Sequence, residues 1–118
     1  MKARLFAVIL FASAALSAHD IHGKPVTISG KVVDTGCYFG EHGEGPSHVA
    51  CATMCAKAGI PLAIVDASGK LYLPIGEEHH PANAKLMPFI DKKVKVSGTL
   101  VEKGGMTALA IKTVEAEQ

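Results

Sequence analysis

The segment from Lys93 to Val114 most constrains what this chain can fold into. Residues 93–101 read KVKVSGTLV, with Val94, Val96, Gly98 and Leu100 on one side and Lys95, Ser97 and Thr99 on the other. Alternation of this kind marks a strand with one buried face. Lys103-Gly104-Gly105 supplies a tight turn, and MTALAIKTV over 106–114 returns as the partner strand. A lone two-stranded hairpin is marginal in water. The rest of the chain must therefore cover its apolar face.

Three more segments fit that task. Residues 26–33, VTISGKVV, place Val26, Ile28, Gly30 and Val32 on one face, with Gly30 marking a bend or bulge. LAIV at 62–65 reads as a strand, Asp66 to Gly69 as a turn, and KLYLPI at 70–75 as the returning strand. Pro74 puts that strand near an edge or at its end. Expected strands are thus 26–34, 62–66, 70–75, 93–101 and 106–114.

The connections carry their own signals. GCYFGEHGEGP at 36–46 reads as a glycine-rich loop. Ser47 has helix N-cap chemistry, Gly59 is placed as a C′ terminator and Pro61 follows, so 48–58, HVACATMCAKA, reads as a short helix. Pro81 opens a second short helix and Pro88 ends it, at about 81–87. Five strands with a helix between the third and fourth is the order of an OB-fold barrel. The closing stretch, V-K-V-S-G-T-L with a Gly-Gly turn and a last strand, also resembles OB-fold domains. The expected class is mainly β: a small five-stranded OB-fold-like barrel, with a short cysteine-bearing helix inserted after strand 1 and a short helix before strand 4. The first insertion falls in the connection between strands one and two, a usual ligand loop of that fold.

The chain opens MKARLFAVILFASAALSAHD. Lys2 and Arg4, then an apolar run to Leu16, then small residues, follow the order of a secretory signal peptide. The run is shorter than the ~20 residues a membrane span needs. Cleavage after Ser17 or Ala18 leaves one domain, 19–118, which places the protein in the periplasm or outside the cell, with no membrane attachment. Losing Lys2 and Arg4 takes the formal charge from +1 to about −1. That leaves no basic face for nucleic acid. The domain has no Trp and few other aromatics, so its core is light and an additional staple is expected.

Cys37, Cys51 and Cys55 are the candidate staple. An odd number of thiols cannot pair completely within one chain, even in an oxidising compartment. On a helix, His48, Cys51 and Cys55 fall within an arc of about 60° and project together. A chain reversal through Gly40, Gly43 and Gly45 brings Cys37 over that face. Three thiolates and an imidazole suit zinc in a structural site, and thiolates suit Cu(I). Two other readings stay open. One is a disulfide from Cys37 to Cys51 or Cys55, bracing an interaction module that binds an exported protein partner. The other is a thiol-disulfide redox protein with Cys51 as the reactive thiol.

The same stretch, P-S-H-V-A-C-A-T-M-C-A-K-A-G-I-P-L-A-I-V followed by D-A-S-G-K-L-Y-L, resembles a class of small exported bacterial proteins. The resemblance runs from about Gly30 to Leu73. It implies export and a cysteine motif that acts as a unit, and it implies no activity.

Other candidates are weaker. His19 and His22 near the new N-terminus, His79-His80 after Glu77-Glu78, and His42 between Glu41 and Glu44 all read first as solvated residues. Met54 falls outside the cysteine arc and reads as core filler. No Ser/His/Asp order, phosphate loop or convincing carboxylate pair argues for an enzyme.

Overall fold

The structure is a computed structural model that describes residues 20–40 and 45–118. The expected signal peptide at 1–18, its cleavage positions, His19 and His42 lie outside the described residues. Strand β1 (Lys24–Asp34) runs antiparallel to β4 (Lys93–Lys103) from Lys24 to Lys31, and to β2 (Leu62–Val65) from Lys31 to Asp34. Strand β2 pairs with β3 (Leu71–Ile75), and β3 lies parallel to β5 (Met106–Ala116). The hairpin between β4 and β5, turning at Gly104-Gly105, completes the closed order β1-β2-β3-β5-β4. The described residues therefore form the expected mainly β, five-stranded barrel of OB-fold-like order.

Two glycines let the barrel close. A Cβ on Gly30 would meet the Val65 carbonyl oxygen at 2.6 Å, at the point where β1 changes partner. Gly98 sits at a register shift against β5, where a Cβ would collide with the Ala110 carbonyl. Ser97 faces Thr113 and Gly98 faces Ile111, so the extra residue of the bulge is Lys112 on β5, while Gly30 serves a bend with close backbone approach. Pro74 lies beyond the last β2 pair, near the end of its strand, where its missing N–H costs little.

The alternating residues meet inside. Val32, Leu62, Ile64, Leu86, Val94, Val96 and Leu109 are fully buried, with Val26, Ile28 and Leu100 packed against them. Removing this much branched apolar surface from water is the main stabilising term, at ~25 cal/mol per Å². No helix among the described residues is long and apolar enough to cross a membrane.

The connections differ in detail from expectation. Part of the 36–46 loop is a helix, α1 (Thr35–Phe39). The main helix, α2 (Val49–Lys57), follows a 3₁₀ turn at Pro46–His48, so His48 rather than Ser47 holds the N-cap position. No side chain caps that end. The other end closes as expected: Gly59 takes φ 100°, its N–H donates to the Ala56 carbonyl, and the Ile60 N–H donates to Cys55. That pair of bonds is a Schellman motif. The expected short helix before β4 is present, wound as two 3₁₀ turns, Ala82–Lys85 and Met87–Phe89, rather than as one α-helical stretch over 81–87. Pro88 has no N–H to continue an α-helix from Ala84.

Asn83 binds these parts together. Its Oδ1 accepts from the Leu62 N–H at 2.8 Å, while Nδ2 donates to the carbonyls of Ile60 at 2.8 Å and Ala56 at 3.2 Å. One amide thus joins the end of α2, the start of β2 and the turn before β4. On the opposite hairpin, the Asp66 carboxylate accepts from the Ser68 and Lys70 N–H groups, the Ser68 hydroxyl and the Tyr72 hydroxyl. Those bonds, the Ser68 hydroxyl foremost, hold its pKa below the usual carboxylate value.

Two outcomes follow from these networks. Asn83→Ala strands the buried Leu62 N–H and the Ile60 carbonyl, and is expected to lower unfolding free energy by about 2 kcal/mol in a denaturant titration. Asp66 has a folded pKa below its unfolded value, so its contribution is present above about pH 4 and is lost as pH falls through the folded value. Asp66→Asn should therefore melt below the parent at pH 7, with the gap narrowing as pH falls below the folded value.

Candidate metal centre

The site begins where β1 ends. Asp34 is extended, at φ −79° and ψ 124°, and its Oδ1 accepts the Cys37 N–H at 2.7 Å. That N-cap bond starts α1 at Thr35 and presents Cys37 from its first turn. Thr35 then donates both its N–H, at 3.1 Å, and its hydroxyl, at 2.7 Å, to the Pro61 carbonyl just past α2. The start of α1 is thereby tied to the end of α2.

Helix α2 supplies the other two sulfurs. Ala52 and Ala56, four residues apart, are buried against the barrel. Their small side chains let the helix lie close, and the adjacent face carries Cys51 and Cys55 along its rim. The Sγ atoms of Cys37, Cys51 and Cys55 all lie within 4.8 Å of one another. A tetrahedral ion with metal–sulfur bonds of ~2.3 Å spaces its sulfurs about 3.8 Å apart. Small rotamer changes cover that difference. Among the described residues this is the only group of three or more Cys, His, Asp or Glu donors so arranged. All three cysteines are free; Cys51 is exposed, and Cys37 and Cys55 are half-buried.

His48 is not a member of that group. It closes the 3₁₀ turn and holds the N-cap position of α2, outside the helix that carries Cys51 and Cys55. Its Nε2 is nonetheless buried with no hydrogen-bond partner among the described residues. Met54 is 68% exposed, which corrects its reading as core filler. The core face of α2 is taken by Ala52 and Ala56, and Met54 turns to solvent. His22 and His80 line one open pocket with Asp20, Glu77 and Glu78, distant in sequence from the cysteines.

The electrostatics are one-sided. Asp34 is only 4% exposed, and its Oδ2 is buried with no hydrogen-bond partner among the described residues. Burial, the Asp34 carboxylate and the neighbouring sulfurs push the Cys37 thiol up to about 12. Burial first, then Asp34 and Cys51, also raise Cys55. The cluster is thus rich in donors and in negative potential, an arrangement that a bound cation relieves. Asp34 was not evident as part of the site from composition or motif. Its signal was the Asp-x-x-Cys spacing, in which an N-cap carboxylate reaches the amide three residues on.

No protein-family model, curated protein or solved structure matches this chain.

The metal-free protein should show a graded thiol reactivity. Cys51 is the exposed thiol, while Cys37 and Cys55 hold their protons more firmly, and thiolate is the reactive form. Brief iodoacetamide treatment at pH 7.5, followed by peptide mass analysis, is expected to label Cys51 first and Cys37 last.

Proposed function

We propose that this chain is an exported binding domain of the periplasm or cell exterior, in which the cysteine cluster holds a zinc or copper ion. The observation that carries this reading is the convergence of three sulfurs from two separate helices within 4.8 Å. One helix is started by Asp34 and the other is ended by Gly59, and the Thr35–Pro61 bonds bind the two together. Cys37, Cys51 and Cys55 are the thiolate ligands. His48, with its buried and unpartnered Nε2, is the fourth ligand, reached by a rotation of the 3₁₀ turn it occupies. Export rests on the order of the leading segment: a basic start, an apolar run and small residues. In that oxidising setting a metal explains how three thiols in one chain remain unpaired.

The chemistry favours ligation over redox exchange. A thiol-disulfide oxidoreductase works through a thiol of lowered pKa. Cys37 and Cys55 are displaced in the opposite sense. A metal supplies the positive charge that makes thiolates of them, and its affinity then rises with pH as protons are released.

The test is metal analysis and free-thiol counting on protein purified from the exported fraction. One ion per chain is expected. Cys51→Ser should bind that ion at least about tenfold more weakly. Its barrel should still melt cooperatively, because Val32, Ile64, Val96 and Leu109 pack independently of the site. Equal metal content in parent and variant, or a Cys37 disulfide to Cys51 or Cys55 in the exported protein, would establish the disulfide-braced module instead.

A further inference from the structure

Resting on the proposed metal site, we infer that Met54 is an exchange ligand for Cu(I), whose thioether takes hold of the ion at the exposed edge of the cysteine cluster as it enters or leaves past Cys51. Residues of one helix, α2, set out that edge. At about 100° per residue, Cys55 lies about 40° and Ala52 about 100° from Cys51 on the barrel side, and Met54 about 60° on the other. Exposure follows that order: Ala52 is buried, Cys55 half-buried, Cys51 exposed and Met54 68% exposed. The three sulfurs that meet within 4.8 Å are therefore backed by the barrel and open on the Cys51 side. The next side chain outward on the helix carries a further sulfur.

A single exposed apolar side chain is ordinary on a protein surface. Met54 is set apart by its place. Residues three apart on a helix are surface neighbours, with Cβ atoms about 5–6 Å apart. Helical side chains lean toward the N-terminus, so Met54 leans back over the turn that carries Cys51. At its exposure little packing restrains it, and its flexible, unbranched chain lets the sulfur swing between solvent and the cluster. The chemistry then names the ion. A thioether is neutral and soft, and with thiolates it suits Cu(I), whereas protein zinc sites draw on Cys, His, Asp and Glu. In the exchange, the bond from copper to Cys51 Sγ breaks as a bond to Met54 Sδ forms, and that bond is then replaced by one to a soft donor of the acceptor. Copper stays Cu(I), no electron moves, and the freed Cys51 thiolate takes a proton from water. Entry is the reverse. Because Met54 serves a passing ion, it sets rates in both directions and leaves affinity nearly alone.

Met54→Leu isolates the sulfur, because it keeps apolar bulk at an exposed position. Parent and variant are loaded anaerobically with Cu⁺ and, in parallel, with Zn²⁺. Stopped flow follows removal of Cu⁺ by excess bathocuproine disulfonate and of Zn²⁺ by pyridylazoresorcinol, and competition with the same chelators gives the affinities. Cu⁺ removal is expected to slow by about tenfold in the variant, the lower end of what loss of a supporting group costs a metal site. Cu⁺ affinity, Zn²⁺ removal and the thermal melt should match the parent. Met54→Gln, which is polar and has no soft donor, should repeat the result. Unchanged Cu⁺ removal would overturn the inference, and so would equal slowing for both ions, which marks a steric effect. Much weaker Cu⁺ binding by the variant would also overturn it, since Met54 would then be a standing ligand. A parent that binds Zn²⁺ but not Cu⁺ would overturn it and leave the site in place. A parent that binds neither ion would overturn the metal site itself.

Discussion

Strand β1 gives Lys24–Lys31 to β4 and Lys31–Asp34 to β2, and both the barrel and the site hang on that change of partner. A sheet closes only if every strand, the first included, serves two neighbours, and closure removes the open edges that invite aggregation. The bend is possible because Gly30 lets the Val65 carbonyl approach to a distance no side chain would allow. Beyond it, Val32 is driven to the core while Asp34, two residues on and on the same face, is carried under the barrel's end. The position of that one carboxylate is thus a consequence of β1's path.

Everything at the cysteine cluster is then a matter of tying short elements to that end. Helix α1 has five residues and α2 has nine, too short to be stable alone. They hold because polar side chains occupy their ends. Asp34 caps one, Thr35 reaches Pro61, and Asn83 accepts from Leu62 while donating to Ala56 and Ile60. Ala52 and Ala56 contribute little apolar area but permit close approach, which keeps Cys51 and Cys55 at the rim rather than in the core. The barrel supplies a rigid base, and the helices present donors from it. Sites of this design hold their geometry because the supporting bonds are separate from the ligands.

Much of the barrel was legible in the chain. The alternation at Val94, Val96 and Leu100, the Gly104-Gly105 turn and the Asp66–Gly69 turn are local signals, readable because a strand has a period of two and tight turns demand particular residues. The cysteines were also visible as a group, since Cys51 and Cys55 share a helical face whatever surrounds them. Three things were hidden. A five-residue helix within a glycine-rich stretch has no periodicity to detect. The Pro46–His48 turn, which leaves His48 at the N-cap of α2 rather than inside it, has no local signal of its own. Asn83, in a polar connection, looked like any turn residue until the chain ends it joins were brought beside it.

By itself, then, the sequence determined the strands, their inward faces, the two hairpin turns and a set of three thiols that one chain cannot pair completely. These are properties of neighbours along the chain, governed by period, turn chemistry and parity. Only the tertiary structure decided which strand closes the barrel, that Met54 faces water, and that Asp34 is buried with one oxygen unpartnered beside Cys37. Those outcomes depend on groups far apart in sequence. Whether a carboxylate is solvated or withdrawn, and whether three sulfurs meet, is set by what packs around them, and no local pattern encodes that.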